Sequence, residues 1–299
     1  MNPGHISVLL HEAIDGLAIK AGGIHVDGTL GSGGHVEEVV KRFGNTVRVI
    51  GIDMDADALA RSKQRFEHLD AKIDFVQGNF RTIDAILDTL GISTVNSILL
   101  DIGLSSNQLE ESGRGFSFQN NEPLQMTFGK DVQEGDTTAE TVVNEWSEDT
   151  LETIIRGFGE ERYAGRIARA IVEAREIDPI KTTHELTSII ASAVPMRYKK
   201  GKIHPATRTF QAIRIAVNQE LQALEEGLQK GFERLAPNGR MAVISFHSLE
   251  DRIVKNYFKK LITEGTALGI TKKPITPGEQ ELSHNRRSRS AKLRIIEKK

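Results

Sequence analysis

Two segments early in the chain carry side chains whose type and spacing could do chemistry. The loop VDGTLGSGGH sets Asp27, Thr29, Gly31, Gly33 and Gly34 within a few residues of one another. Glycines that follow a strand let backbone N–H groups come close to a ligand at the start of a helix. A dinucleotide fingerprint begun at Gly31 would need glycine where Val36 stands, and a phosphate-binding Walker loop would need a Gly-Lys pair that is missing here. About 20 residues on, GIDMD ends its apolar run at Asp53, the position from which a carboxylate accepts both hydroxyls of a ribose. Asn79-Phe80 then offers an amide and an aromatic face to a base, and Asp101 closes the next apolar run. Taken singly, an Asp after a strand is an ordinary helix cap and a Phe is ordinary core. Four such residues at successive strand ends coincide with the edge where open α/β sheets bind ligands.

The elements that must position these residues are legible as alternating patterns. IHVDGT, VRVIGIDMD, KIDFVQGNF and VNSILLDIG read as buried strands, apolar nearly throughout and bounded by Gly, Asp or Asn. HVEEVVKRFG, ADALARSKQRFEHL and TIDAILDTLG between them have helical spacing. Strand and helix alternating at this pitch predict a parallel, doubly wound sheet. Residues 105–136 lack periodicity, as functional loops often do. Helices are expected over about 138–146, 148–158, 161–176 and 183–194, then one long helix from about Ala206 to Leu235 between Pro205 and Pro237. RMAVISF, LEDRIVKNYFKKL and KLRIIEK resume the strand–helix pattern. The expected organisation is therefore an α/β domain made of residues 1–108 and 206–299, with a mostly helical insertion over 109–205.

Composition excludes several classes. With no cysteine there is no disulfide framework, no Cys-ligated zinc and no cysteine nucleophile. No apolar run approaches the ~20 residues of a membrane span, and the first residues lack the basic-then-apolar pattern of a secretory signal, so a cytoplasmic protein is expected. His11, His25 and His68 stand singly, without metal-ligand spacing, and no metal site is expected. The formal net charge of -2 conceals segregation. Residues 195–219 hold Arg197, Lys199, Lys200, Lys202, Arg208 and Arg214 and no acid, and seven of the last 16 residues are basic against one acid. Such patches are the electrostatic footprint of a polyanion, or else a solvated surface. RYKKGKIHPATR adds Tyr198 and His204 for stacking on bases. Arg162, Arg166 and Arg169 share a helix face, as a phosphate track or as plain solvated surface.

The pattern Asp27-x-Thr29-x-Gly31-x-Gly33-Gly34 is similar to the acidic-then-glycine loop of class I S-adenosylmethionine-dependent methyltransferases. HISVLLHEAIDGL, VDGTLGSGGH, GIDMDADAL, LLDIGLSSNQL, RGFSF, GEERYAGRIARAIVEAR, HPATRTFQAIRIAVNQEL and SFHSLEDRIVK together resemble the RsmH (MraW) family, from His5 to Lys255, with an echo in SRSAKLRIIEK. The resemblance implies a Rossmann-like class I methyltransferase domain carrying an inserted helical substrate domain. It implies methyl transfer from S-adenosyl-L-methionine to the exocyclic N4 of a cytidine in the decoding centre of 16S rRNA, in the small ribosomal subunit. It places cofactor contacts on Gly33, Gly34, His35, Asp53, Phe80, Asp101 and Gln108. The insertion then becomes an RNA-recognition domain, and the protein a monomer or homodimer. One segment departs from the family: PLQMTF, from Pro123 to Phe128, stands where PLDMRM is usual, so Gln125 and Thr127 replace an acid and an arginine.

Cytosine's amine is a poor nucleophile, so the reaction needs in-line approach, an acceptor for the amine and exclusion of water. The Asp/Ser/Asn-Pro-Pro-aromatic loop of many amino-group methyltransferases is absent after Asp101. The acceptor candidates are Asp101, Ser105 and Ser106, with Ser245, His247 and Glu250 from SFHSLED. Ser248 and Asp251 can equally be helix caps. Arg114, Phe116 and Phe118 of RGFSF can cover a flipped base or pack beneath a loop. Two other readings remain: a methyltransferase acting on DNA or a small molecule, and a cofactor-sensing RNA-binding protein without turnover.

Overall fold

The computed structural model describes residues 7–299 apart from 106, 107, 110, 111, 131 and 134. Packing divides the chain into two compact units, one formed by Met1–Gly103 with Leu221–Lys299 and one by Leu104–Glu220. In chain order the first unit begins with α1 (Leu10–Leu17), β1 (Ile24–Asp27), α2 (Gly34–Phe43), β2 (Arg48–Asp53), α3 (Ala56–Phe66), β3 (Lys72–Gln77), α4 (Ile83–Thr89) and β4 (Val95–Asp101). The second unit holds α5 (Ala139–Glu145), α6 (Glu148–Gly157), α7 (Ala164–Arg175), α8 (Thr183–Ala193), α9 (Met196–Lys199) and α10 (Thr207–Asn218). The first unit resumes with α11 (Glu220–Arg234), β5 (Leu235–Ser245), α12 (Ser248–Thr263), β6 (Ala267–Gly269), α13 (Glu279–His284) and β7 (Lys292–Lys298).

The sheet order is β3-β2-β1-β4-β5-β7-β6. Neighbours from β3 to β5 run parallel, and β7 runs antiparallel to both β5 and β6. The parallel part is the doubly wound sheet that the alternation implied, and with its antiparallel edge the whole has the Rossmann-like class I methyltransferase form that the resemblance implied. Its strands are apolar on both faces because helices cover both. Ile98, Leu100, Met241 and Val243 pack with Leu87 of α4, Leu228 of α11 and Phe258 of α12. Their alternates Leu99, Ala242 and Ile244 pack with Ile14 of α1 and Val36 of α2. The order reverses beside β1, which pairs with both β2 and β4, so the crevice of the sheet opens at the carboxyl ends of those strands.

The second unit has its own core, built from Val142, Leu151, Ile155, Ile167, Ile171, Leu186, Phe210 and Ile213. The expected long helix from Ala206 to Leu235 is instead two helices. Gln219, at φ 50, breaks it, and Arg214 and Glu220 pair across the break at 2.7 Å. Asn218 gives the reason for a break there. Its Nδ2 donates to the carbonyls of Met126 (2.7 Å) and Arg214 (2.9 Å), and its Oδ1 accepts from the Phe128 N–H (2.8 Å). Residues 206–218 thereby pack with the helices before them, and the second unit runs on to Glu220. Met126 holds φ 56 with its side chain fully buried, a strained backbone that this clamp over-determines.

In the first unit His25 is fully buried without full compensation. His25 on β1 has Nδ1 2.9 Å from Ser97 Oγ, while its Nε2 is buried without a hydrogen-bond partner among the described residues. Burial, with the charge of His35 second, pushes its pKa down to about 3. Between roughly that pH and the unfolded value near 6.5, the unfolded chain binds a proton the folded chain refuses. Stability is therefore lost as pH falls below about 6.5, by up to ~1.4 kcal/mol per pH unit from this group. Urea midpoints compared from pH 7 to 5 should fall more steeply for the wild type than for His25→Gln. Parallel curves would show that His25 takes up its proton in the fold without cost.

Candidate active site

The residues of the glycine loop and the strand ends beside it are tied by four backbone contacts to side chains. The Thr29 N–H donates to Asp27 Oδ1 at 3.0 Å, and Thr29 Oγ1 accepts the Asp101 N–H at 2.7 Å. The Gly31 N–H donates to Asp53 Oδ2 at 2.7 Å, and the Asp55 N–H to Asp53 Oδ1 at 2.8 Å. One hydroxyl and one carboxylate thus tie the turn after β1 to the ends of β4 and β2. Gly33 caps α2 at φ 75, and a Cβ there would stand 2.7 Å from the Phe66 ring. Gly34 has no room either, since its Cβ would meet Ser7 Oγ at 2.0 Å. These two positions need glycine for packing as well as for any ligand.

Four polar groups converge at this edge. Asp27 is almost fully buried, and burial lifts it to about 7 against the opposing Thr29 N–H, with Asp53 adding repulsion. Burial, followed by the charges of Asp27 and Glu250, holds Asp101 well above the usual carboxylate range. Asp101 Oδ1 is buried with no hydrogen bond among the described residues, and Oδ2 lies 3.8 Å from His35 Nδ1. His35 Nε2 sits 3.2 Å from the Val8 carbonyl, which can only accept. The proton on His35 therefore belongs on Nε2 when the ring is neutral, and the Nδ1 lone pair faces Asp101. Burial also raises Asp53. The edge is a set of poorly solvated carboxyls held close together.

Phe80 opens a short turn after β3, where Asn79 Oδ1 accepts the Arg81 N–H at 3.0 Å. Its ring leans on α11, since a Cβ on Gly227 would come within 2.4 Å of it. Arg81 locks that contact with a two-pronged bond to Glu226 at 3.0 and 2.7 Å. After β5, His247 caps α12, with Nδ1 accepting the Glu250 N–H at 3.4 Å, and Glu250 Oε2 accepts the N–H groups of Phe246 and His247. Glu250 Oε1 lies 3.0 Å from His247 Nε2, off hydrogen-bond alignment, and both atoms are otherwise buried and unbonded. Ser245 is buried and donates to the Lys292 carbonyl at 3.4 Å. Ser248 is not the cap. Asp251 instead binds Lys292 at 3.0 Å and Arg294 at 2.7 Å. A histidine cap followed by Glu lies outside the usual Ser/Thr-x-x-Glu signature, so the pattern did not expose it.

Gln108 and Ser105 belong to the second unit, where they bond each other: the Ser105 N–H reaches Gln108 Oε1 at 3.0 Å and the Gln108 N–H reaches Ser105 Oγ at 3.2 Å. Ser106 lies outside the described residues. The RGFSF residues pack inside this unit. Arg114 donates to the carbonyls of Thr127 and Phe128, Phe116 stacks on Phe128, and Phe118 stacks on His204 with centroids 4.6 Å apart. The two departures at PLQMTF bond each other, with Gln125 Nε2 donating to Thr127 Oγ1 at 2.7 Å and Thr127 Oγ1 donating to the Gly129 carbonyl at 2.7 Å. The amide and the hydroxyl that stand in place of an acid and an arginine are thus joined by a bond across the loop. Of the arginine row, Arg169 pairs with Glu148, while Arg162 lies over the rings of Tyr163 and Tyr198 at 4.7 and 4.9 Å. Tyr198 donates its hydroxyl to Glu161. Arg197, Lys200 and Lys202 are exposed.

Comparison with known proteins gives a single family. The chain matches the model of the MraW methylase family over residues 2–299. A protein of Lachnospira eligens named ribosomal RNA small subunit methyltransferase H is 44% identical, with 98% of this chain and 97% of that protein aligned. Proteins of the same name from Clostridium botulinum and Carboxydothermus hydrogenoformans are 45% and 46% identical, covering 98% and 100% of this chain and 98% and 99% of their own lengths. A match over that span, at that identity, leaves no part of either unit outside the alignment, and the chain belongs to the MraW methylase family.

Proposed function

We propose that this protein transfers a methyl group from S-adenosyl-L-methionine to the exocyclic N4 of a cytidine in the decoding centre of 16S rRNA. The observation that carries this reading is the row of Asp27, Asp53 and Asp101 at neighbouring strand ends, in a chain whose relatives are named for small-subunit rRNA. The residues present fit such a cofactor. Asp53 offers carboxylate lone pairs to ribose hydroxyls, Phe80 an aromatic face to adenine, and Gly33, Gly34 and His35 at the start of α2 stand where the resemblance places the amino-acid end. Asp101 has an unbonded buried oxygen, which is an acceptor in search of a donor or a cation. When bound, the cofactor supplies an electrophilic methyl on a cationic sulfur.

The chain's own residues then have two tasks. The first is to accept a hydrogen bond from the cytosine amine so that its lone pair can point at the methyl. Among the acceptor residues, Asp101 and Glu250 each keep a buried oxygen without a bond, while Ser245 already donates to Lys292. Asp101 and Glu250 therefore have the unused capacity, with His247 holding Glu250 in place. The second task is to hold RNA whose base has left its stack. The exposed cations of 196–202 in the second unit suit its phosphates, and Gln108 adds a further expected contact with the cofactor. Binding without turnover is the competing reading, and the self-compensating Gln125–Thr127 pair argues against a disabled loop.

Labelled methyl transfer to small subunits lacking the modification should yield N4-methylcytidine at one position. Another nucleoside, or no incorporation with cofactor binding intact, would reject the assignment. Charge reversal of Lys199, Lys200 and Lys202 should weaken binding to those subunits while cofactor affinity stays unchanged; the same subunit affinity across a salt titration would refute their role. The raised Asp101 gives a third expectation. A cation placed beside it favours the ionised carboxyl, so affinity for S-adenosylmethionine should climb as pH rises through that elevated value. S-adenosylhomocysteine, with a neutral sulfur, should show a flatter profile, and Asp101→Asn should abolish the difference. Identical profiles for the two ligands in the wild type would place Asp101 elsewhere.

A further inference from the structure

Seven cations crowd the last 16 residues, and the fold uses them unequally. Lys292 and Arg294 neutralise Asp251, and Lys298 donates to the carbonyls of Phe232 and Glu233. Arg286, Arg287 and Arg289 are exposed on one short 3-10 turn, Arg286–Ser290. In such a turn residues three apart lie on one face, so Arg286 and Arg289 stand side by side. Neither makes an ion pair or hydrogen bond among the described residues, although elsewhere arginines pair: Arg42, Arg48, Arg65, Arg81, Arg214, Arg240. Adjacent like charges disfavour the turn that holds them.

That turn is nevertheless held firmly. Asn285 Oδ1 accepts the Arg287 N–H at 3.2 Å, and the Asn285 carbonyl accepts both the N–H and the hydroxyl of Ser288. Ser288 is fully buried, and Ala291 enters the core with Val8 and Leu9. The turn leads directly into β7, whose first residue, Lys292, is in register with Ser245, the last of β5. Asp101 is in register with Ile244, one residue earlier on β5. Arg286 and Arg289 therefore sit at the same sheet edge as Asp101, His247 and Glu250, on the turn that enters the strand next to the one leading to His247.

We propose that Arg286 and Arg289 form a phosphate clamp that grips the RNA backbone flanking the nucleotide presented to that edge. Guanidinium groups suit phosphate oxygens, and a rigid turn loses little freedom in binding them. The clamp rests on the rRNA reading above and goes beyond it, by adding a contact surface in the first unit to that of residues 196–202.

The test uses the full-length protein and undermethylated small ribosomal subunits, comparing wild type with R286Q/R289Q and R286K/R289K. The Gln pair should raise KM for subunits about tenfold with kcat preserved, and lower the slope of log affinity against log salt by about 1.5 to 2. Affinity for S-adenosylhomocysteine and Tm should be unchanged, or Tm slightly raised as the repulsion is relieved, and the Lys pair should recover part of the subunit affinity. An unchanged KM and salt slope would overturn the clamp. So would losses of Tm and cofactor affinity that track the loss of activity and that Lys does not rescue, since these mark a structural brace. Failure of the wild type itself to methylate the subunits would reject the rRNA reading, and the clamp with it.

Discussion

The site depends on one constraint: the turn after β1 has to bring Thr29 and Gly31 against the ends of β4 and β2. Two hydrogen bonds do this, Thr29 Oγ1 with the Asp101 N–H and the Gly31 N–H with Asp53. Neither is strong in net terms, at about 1 kcal/mol for the neutral bond and somewhat more for the charged one. Their consequence is geometric. They force Asp27, Asp53 and Asp101 into one poorly hydrated edge, where burial raises the cost of ionising each, Asp53 adding to that of Asp27 and Asp27 to that of Asp101. A fold selected for stability alone would have little use for acids there. They are tolerated because the sheet beneath them is covered on both faces and over-determines the strand ends.

The same constraint explains which parts of the protein were legible in the sequence. Strand ends are, because a near-continuous apolar run stops abruptly at an acid, and parallel topology sends every such end to one edge. Asp27, Asp53 and Asp101 were recoverable for that reason. The break at Gln219 was not, because residues 206–235 have helical composition throughout and nothing local forbids continuing. Asn218, reaching 92 residues back to Met126, imposes it from outside the segment. Strand β6 has three residues and pairs only at the edge, which leaves too short a run to show alternation. The capping by His247 was hidden because Ser248, one position later, is the stronger cap by type.

Roles were harder to read than positions. Phe116, Phe118 and His204 have the residue types of a base-stacking surface, yet they stack on Phe128, Phe210 and each other within the second unit. Residue type alone does not separate an aromatic that waits for a base from one satisfied by its neighbours. Only the distances do. The PLQMTF segment makes the same point from the other side. Two departures from a family pattern look like two losses in a string of letters, but in three dimensions they are one hydrogen-bonded pair.

Charge follows a similar logic. A formal net charge of -2 says little about partners, because many arginines in this protein are spent on acids within the fold. The meaningful quantity is the set of cations the fold leaves over. An exposed ion pair contributes at most about 1 kcal/mol, so leaving a cation unpaired costs the fold little. Leaving Arg286 and Arg289 side by side with no ion pair among the described residues, on a turn that buried Ser288 prevents from splaying, is a different matter. Their repulsion persists until something anionic lies across them, and the electrostatic free energy then released is available for binding. The acids sit buried at the strand ends and the surplus cations outside at the same sheet edge. In the reading proposed above, that separation would let one edge draw a cationic methyl donor inward while a polyanion lies along its rim.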